Sequence, residues 1–353
     1  MTLPEKYAQM PEAELVAALW QAKRALGQSV TILGHHYQRD EVIQFADFRG
    51  DSLELSRRAA QVKEAQHIVF CGVHFMAETA AILCKPEQVV IQPVIEAMCP
   101  MAHMANAADA GQAWQGLSSV WQGNLIPITY QNSTAALKAF VGQHGGAVCT
   151  SSNADKLFRW ALKQSDHILF TPDEHLGTNT ALAMGIPPEE IGLWDPLHPP
   201  KPESLARCRV VVWKGFCYVH TTFTPAEVDE VRRKYPNALV IVHPECVHEV
   251  VAKADLAAST SGIIQAVERA PAGATIAIGT EWHLVDRLRQ EHPDKTVIPL
   301  RHSVCVNMAM TRMPHLFYVL DGLLQGEVRN AVTVDEETAK WARLALERML
   351  GAS

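Results

Sequence analysis

Short runs of consecutive apolar, often β-branched residues alternate along the chain with longer stretches in which apolar positions recur every three or four residues. The clearest runs are Val30–Gly34, His67–Gly72, Gln88–Gln92, Ile126–Tyr130, Ala147–Thr150 and His167–Thr171. The last third of the chain adds Arg209–Trp213, Ala238–Val242, Ala274–Ile278 and Thr296–Leu300. Runs of four to six residues that are apolar at most consecutive positions, not at every second one, predict strands buried on both faces; with helices between them they predict parallel sheets covered on both sides. The runs fall into about three strand–helix sets of similar size, so the expected class is α/β, with three similar three-layer α/β/α domains. The same rhythm suggests a repeat, although residue identity between the sets is weak.

Breaks in the pattern set the expected limits. One falls near residues 101–115 and another in the proline-rich stretch 186–206. The division drawn from these is a first α/β domain over 1–105, a second over 106–205, a third over 206–302, and a C-terminal segment over 303–353. Within that segment Asp335–Leu350 reads as a closing surface helix, its apolar stripe formed by Trp341, Leu344, Ala345 and Met349.

In open parallel sheets, ligands bind beyond the carboxyl ends of the strands, and here those ends are unusually polar. The first strand runs into His35-His36-Tyr37. The run at 126–130 leads into Tyr130-Gln131-Asn132-Ser133, and the next into Thr150-Ser151-Ser152-Asn153. Later come His243-Pro244-Glu245-Cys246 and Ser259-Thr260-Ser261-Gly262. Several of these turns open a helix. Asp51-Ser52-Leu53-Glu54 has the form of a capping box, with Leu55, Ala59 and Val62 as the buried stripe behind it. Any one Ser, Thr or Asn at such a place is an ordinary helix cap. Several at the same sheet end would aim N–H groups and positive dipole ends into one space suited to a carboxylate or phosphate. His243 and Glu245, one rigid proline apart, form a candidate acid–base pair, and His35 and Tyr37 share that two-residue spacing.

Eight cysteines bring in further chemistry. Cys99, Cys217 and Cys305 lie near turns, 118 and 88 residues apart, so only the fold can unite them. Three thiolates meeting at one point would make an iron–sulfur or other metal site with a coordination position left over. Cys71, Cys84, Cys149 and Cys208 sit in apolar contexts and read as small hydrophobes; Cys246 is ambiguous. The absence of any Cys-x-x-Cys lowers the odds of a zinc ribbon or a ferredoxin-type cluster, while 16 histidines leave zinc open. Composition adds exclusions. Hydrophobic residues are 48%, charged residues 20% and net charge is −7 with no basic block, which points away from nucleic acid and anionic membranes as partners. No apolar run approaches the ~20 residues of a membrane helix, and the first residues lack a signal pattern, so a cytoplasmic protein is expected.

The motifs Gly50–Leu55, Phe75–Ala80, Glu96–Ala102, Asn132–Ala135 and Thr150–Ala154 resemble those of quinolinate synthase. So do Pro172–Gly177, Lys214–His220, His243–Cys246 and Ala258–Gly262, in order from about residue 30 to 310. The resemblance implies a pseudo-threefold arrangement of three α/β domains around a central site. It implies a 4Fe–4S cluster held by Cys99, Cys217 and Cys305, one iron keeping an open position. The implied reaction condenses iminoaspartate with dihydroxyacetone phosphate to quinolinate, with loss of phosphate and water, in NAD biosynthesis. Carried over by motif, the substrate-binding positions are His35, Ser52, Tyr130, Asn132, Ser151, His243, Glu245 and Thr260, and the proton-transfer candidates are Tyr37, His243 and Glu245. L-aspartate oxidase is implied as the source of the unstable imine, with physical association left open.

The chain departs from the family pattern twice. Some members carry a Cys-x-x-Cys-x-x-Cys run at the third ligand, whereas Cys305 stands alone. Residue 36 is His where Asn or Tyr is frequent. Two other readings stay in view: a zinc- or iron-dependent aldolase or dehydratase using the same cysteines, and a non-catalytic iron–sulfur sensor, which would not need His243-Pro244-Glu245 or the hydroxyl-lined strand ends.

Overall fold

All ten apolar runs form strands, with limits within one residue of those expected. The computed structural model describes residues 3–352 and holds three sheets. The first sheet contains β1 (Val30–His35), β2 (Phe48–Gly50), β3 (His67–Cys71) and β4 (Val89–Ile91). The second contains β5 (Ile126–Tyr130), β6 (Ala147–Cys149), β7 (Ile168–Thr171), β8 (Ile191–Trp194) and β9 (Val210–Trp213). The third contains β10 (Leu239–Val242), β11 (Leu256–Ala257), β12 (Thr275–Gly279) and β13 (Thr296–Pro299). The pairs within these sets are all parallel. One departure from the all-parallel expectation is β14 (Ala331–Val332), which pairs antiparallel with β4 at the first sheet's edge.

The suspected repeat is visible in topology. Numbered within its own sheet, the first and third run 2-1-3-4 (β2-β1-β3-β4 and β11-β10-β12-β13), and the second runs 2-1-3-5-4 (β6-β5-β7-β9-β8), with β8 at its edge. Such an order places the first strand between the second and the third, so the connections leaving the first and third strands run to opposite sides and open a crevice between their carboxyl ends. The proline-rich stretch expected to be a break contains β8, which runs parallel to β9 with Trp194 opposite Trp213. β9 itself lies past the limit drawn at residue 206 and pairs with β7 of the second sheet.

The chain divides into two compact units. One takes in the described residues up to Cys99 together with Val304–Asp335; the other takes in Pro100–Ser303 and the described residues from Glu336 onward. In the first, Ile32, Val69 and Ile91 face one side of the sheet and pack with Leu15 and Leu19 of helix Glu12–Leu26 and Leu316, Val319 and Leu320 of helix Met313–Leu324. In the second, Val240, Val242 and Ala277 pack with Phe223, Val228 and Val250. Each such side chain, fully withdrawn from water, contributes about 1.5–3 kcal/mol.

The closing helix forms as Glu336–Gly351, but its buried stripe is Ala342, Ala345, Leu346 and Met349. Leu344, expected inside, is 37% exposed, and Trp341 is half-buried with its Nε1 donating to Glu337 Oε1 at 2.6 Å. The reason is close backbone approach: a Cβ at Gly142, in helix Ala135–Gln143, would overlap the Trp341 carbonyl. Ala342 and Ala345 are therefore buried while Leu344 turns to solvent. Among the described residues no helix is long and apolar enough to cross a membrane.

Candidate active site

Each sheet's first strand delivers two polar side chains, two residues apart, at its carboxyl end: His35 and Tyr37 from β1, Tyr130 and Asn132 from β5, His243 and Glu245 from β10. Each second strand leads to a hydroxyl at a helix start. Ser52 is the first residue of helix Ser52–Gln61, Thr260 the first of helix Thr260–Arg269, and Ser151 lies just ahead of helix Ala154–Leu162. The eight substrate-binding positions expected from sequence therefore occupy equivalent places in three equivalent sheets.

The cap reading of these hydroxyls gives way to their neighbours. Asp51 caps its helix, accepting from the Leu53 and Glu54 amides at 3.0 Å while its own N–H donates to Glu54 Oε2 at 2.9 Å, which completes the capping box seen in the sequence. Val62, expected in the buried stripe, is that helix's half-buried C-cap. Ser259 accepts from the Gly262 amide, and Thr134, not Asn132 or Ser133, caps helix Ala135–Gln143. Asn153 holds the N-cap position after Ser151-Ser152, although its Oδ1 accepts from the Thr150 amide and not from a helix amide. Ser52, Ser151 and Thr260 are thus spared capping work. Asn132 Oδ1 is buried and finds no hydrogen-bond partner among the described residues, an acceptor the fold leaves for something else.

In the unit built on the first sheet, His35 and Tyr37 are buried edge-to-face, with ring centres 4.7 Å apart and the Tyr37 amide donating to His35 Nδ1 at 3.1 Å. Next along, Gln38 Nε2 donates to the Met308 carbonyl and Arg39 Nε to the Ala309 carbonyl, both at 3.0 Å, fixing the turn that follows Cys305. Asn307 Nδ2 donates to the Met98 carbonyl, which ties the Cys305 segment to the one bearing Cys99. Buried Gln92 braces the approach to Cys99: its Oε1 lies 2.8 Å from His74 Nδ1, and the His74 amide donates to the Ala97 carbonyl at 2.9 Å.

In the other unit, Cys217 stands where β9 gives way to the short helix Tyr218–Thr221, so His220 falls three residues on. The chain reaches that point through Gly215, where a Cβ would overlap the Pro172 carbonyl. Ligand atoms of Cys217, His220 and Glu245 all lie within 4.8 Å of one another, a group able to hold a metal ion. Glu245 Oε2 lies 3.2 Å from His220 Nε2 and 3.1 Å from His243 Nδ1, all three side chains being at most 3% exposed. The two imidazoles stack at 4.2 Å. Burial alone would raise the Glu245 carboxyl; donation from His220 and His243 outweighs it and holds the group down at about 2. Burial, and then the neighbouring His243, bring His220 down to about 4, so it donates as a neutral ring. Glu245 Oε1 is buried with no hydrogen-bond partner among the described residues. Near neutrality the site holds an ionised carboxylate with one satisfied oxygen and one waiting.

The cysteines separate by accessibility. Cys99, Cys217 and Cys305 are half-buried; Cys71, Cys84, Cys149, Cys208 and Cys246 are buried. Burial pushes the Cys71 thiol up to about 12 and raises Cys149, Cys208 and Cys246 as well. Cys246, ambiguous in the sequence, belongs to the third sheet's core.

Sequence reasoning missed His220 and Asp173. His220 carried a signal, the Cys-x-x-His spacing that places both on one face of a helical turn. Asp173 reads as a cap, and its Oδ1 does accept from the Leu176 amide at 2.5 Å. It is also wholly buried, and burial together with the charge of Glu245 raises its carboxyl well above the usual range. His36, of open role, has Nε2 3.9 Å from Glu54 Oε2.

Comparison with known proteins agrees with this architecture. The family described as "Quinolinate synthetase A protein" matches residues 18–351. The chain is 48% identical to a quinolinate synthase of Listeria monocytogenes, covering 100% of this chain and 97% of that protein. It is 49% identical to one of Anoxybacillus flavithermus over 99% and 96%, and 46% identical to one of Bacillus anthracis over the same shares.

Proposed function

From the premise that the chain belongs to the quinolinate synthetase A family, we propose that it condenses iminoaspartate with dihydroxyacetone phosphate to quinolinate, losing phosphate and water. It is an enzyme of NAD biosynthesis, and the reading places it in the cytoplasm with L-aspartate oxidase as the source of the imine. The observation that supports it most is the Cys217–His220–Glu245 group, in which a thiol adjoins a buried carboxylate that its contacts with His220 and His243 hold ionised against burial.

Cys99, Cys217 and Cys305 are the three half-buried thiols, and a set of three thiols suits a 4Fe–4S cluster with one open iron, which supplies Lewis acidity for the loss of water. The remaining work falls to this chain's own side chains. Both substrates are anionic. Ser52, Ser151 and Thr260, at helix starts and not needed as caps, donate hydrogen bonds to carboxylate or phosphate oxygens where the helix dipoles favour negative charge. Asn132 Oδ1 accepts from an imine or hydroxyl, and Tyr130 and His35 are the remaining substrate-binding residues of the reading. Enolisation and ring closure require protons to be taken and returned. Glu245 Oε1 is the proposed base on geometry: the carboxylate is ionised near neutrality, this oxygen has no hydrogen-bond partner among the described residues, and His243 lies against the other oxygen. Tyr37, against His35, is positioned to donate a proton or polarise a carbonyl.

The test is quinolinate formation by anaerobically purified protein, with iron, sulfide and zinc measured on the same sample. Quinolinate at full iron loading is expected. Absence of quinolinate at full loading would overturn the reaction. Stoichiometric zinc with no sulfide would favour an aldolase or dehydratase, for which the Cys/His/Glu donor set is also suited.

A further inference from the structure

The loop that carries Glu245 is held from outside its own sheet. Asn179 projects from helix Glu174–Ala183, which follows β7 of the second sheet; the loop follows β10 of the third. The two Asn179 amide hydrogens go to the Pro244 carbonyl at 2.9 Å and the Cys246 carbonyl at 2.8 Å, one on each side of Glu245. Because two carbonyl oxygens can only accept, the amide nitrogen must face them, which leaves Oδ1 2.9 Å from His248 Nδ1. Asn179 is 6% exposed, and these contacts use both its donors and its acceptor.

Within the loop, the Cys246 amide donates to the His243 carbonyl at 3.0 Å, and the Cys246 side chain is sunk in the core. These local contacts close the turn. They do not fix where it sits relative to His220, which arrives from another segment and must meet Glu245 Oε2 at 3.2 Å. Asn179 supplies that reference, because its helix begins immediately after the Thr171–Asp173 loop that packs against Gly215, the entry to the Cys217 and His220 turn. One amide thus registers the base-bearing loop against the segment that presents its hydrogen-bond partner.

We propose that Asn179 is a positioning residue for Glu245, clamping the Pro244 and Cys246 carbonyls so that the carboxylate is aimed for proton transfer. The inference rests on the functional reading above, and the experiment separates the two. In Asn179→Asp the side chain keeps its size but loses both donors and sets a carboxylate against two carbonyls; Asn179→Ser, too short to span the gap, is the second variant should the first not fold. With iron content matched to wild type, kcat is expected to fall roughly 10–100-fold, as for a misplaced catalytic group, with KM and quinolinate affinity within about threefold. In a Glu245→Gln background the same change should cost nothing further, since the group it aims is already gone. Amide hydrogen exchange in the peptide spanning residues 243–248 should quicken in the variants while that of β12 stays unchanged.

Unchanged kcat, or losses that simply multiply in the double variant, would overturn the proposal. If wild type forms no quinolinate, the functional reading falls on its own. The exchange result then decides for Asn179: lost protection upholds its hold on the loop, and unchanged protection overturns it.

Discussion

In the proposed reaction the chemistry turns on Glu245, a residue on which burial and charge act in opposite senses. A carboxyl this buried would ordinarily take up a proton, and only donation from His220 and His243 keeps it ionised. Glu245→Gln is therefore expected to keep iron and bind quinolinate, since an amide still hydrogen-bonds, yet to lose most turnover, since it cannot accept a proton. Near wild-type turnover at matched iron would shift the role to His243 or Tyr37. The same cluster sets acid stability. His220 is depressed to about 4 from 6.5, so as pH falls through that window the unfolded chain takes up a proton that the folded one refuses, and stability drops. Glu245, depressed to about 2 from 4.5, contributes stability that is complete above pH 4.5 and lost as pH falls toward 2. Melting of the metal-free protein should thus decline in two stages below pH 6.5, and His220→Asn should flatten the first. Parallel melting curves for the two proteins between pH 7 and 5 would rule this out.

Helix starts divide two tasks between adjacent residues, which makes them separable. Asp51→Ala removes a capping box and should cost about 0.5–2 kcal/mol of stability. Ser52→Ala, one residue on, removes a hydroxyl that caps nothing, so melting should stay near wild type while substrate or product affinity falls. Ser151→Ala should follow Ser52→Ala. Melting curves and binding isotherms on the same preparations decide it: a stability loss with unchanged affinity for Ser52→Ala would return that residue to structure alone. The sequence identified Asp51 as the cap, but at the later turns it led to the right turn and not to the right member, because capping depends on which residue adopts extended backbone angles before the helix.

For the molecule as a whole, three accessible thiols stand apart from five buried ones. Cys99→Ala, Cys217→Ala and Cys305→Ala should each abolish iron binding, whereas Cys71→Ala, Cys84→Ala and Cys208→Ala should retain it at some cost in stability from the cavities left. Cys246→Ser is the sharper control. It should keep iron but melt earlier, because it places a hydroxyl in the third sheet's core. Iron analysis across the set tests the assignment: full iron and activity in any of the first three, or iron lost from Cys246→Ser, would show that the ligand set is wrong.

The ten main strands, the three-sheet class, the capping box at Asp51 and the polar strand ends were determined by the sequence alone, because each is encoded within a few residues. Short strands such as β2, β11 and β14 were not, since two or three residues form a strand only when a partner supplies the hydrogen bonds. The closing helix was predicted in place but rotated, because the helix carrying Gly142, and not its own composition, chose the face it buries. The Glu245 cluster shows the same division. Its histidine and carboxylate at 243 and 245 were legible together, but the second imidazole comes from residue 220, and the amide that clamps the loop comes from Asn179, 65 residues before Pro244. Contacts over such separations leave no periodicity in the chain. They exist only once the sheets have formed and packed, which is why tertiary structure alone decided the charge on Glu245 and the direction in which it points.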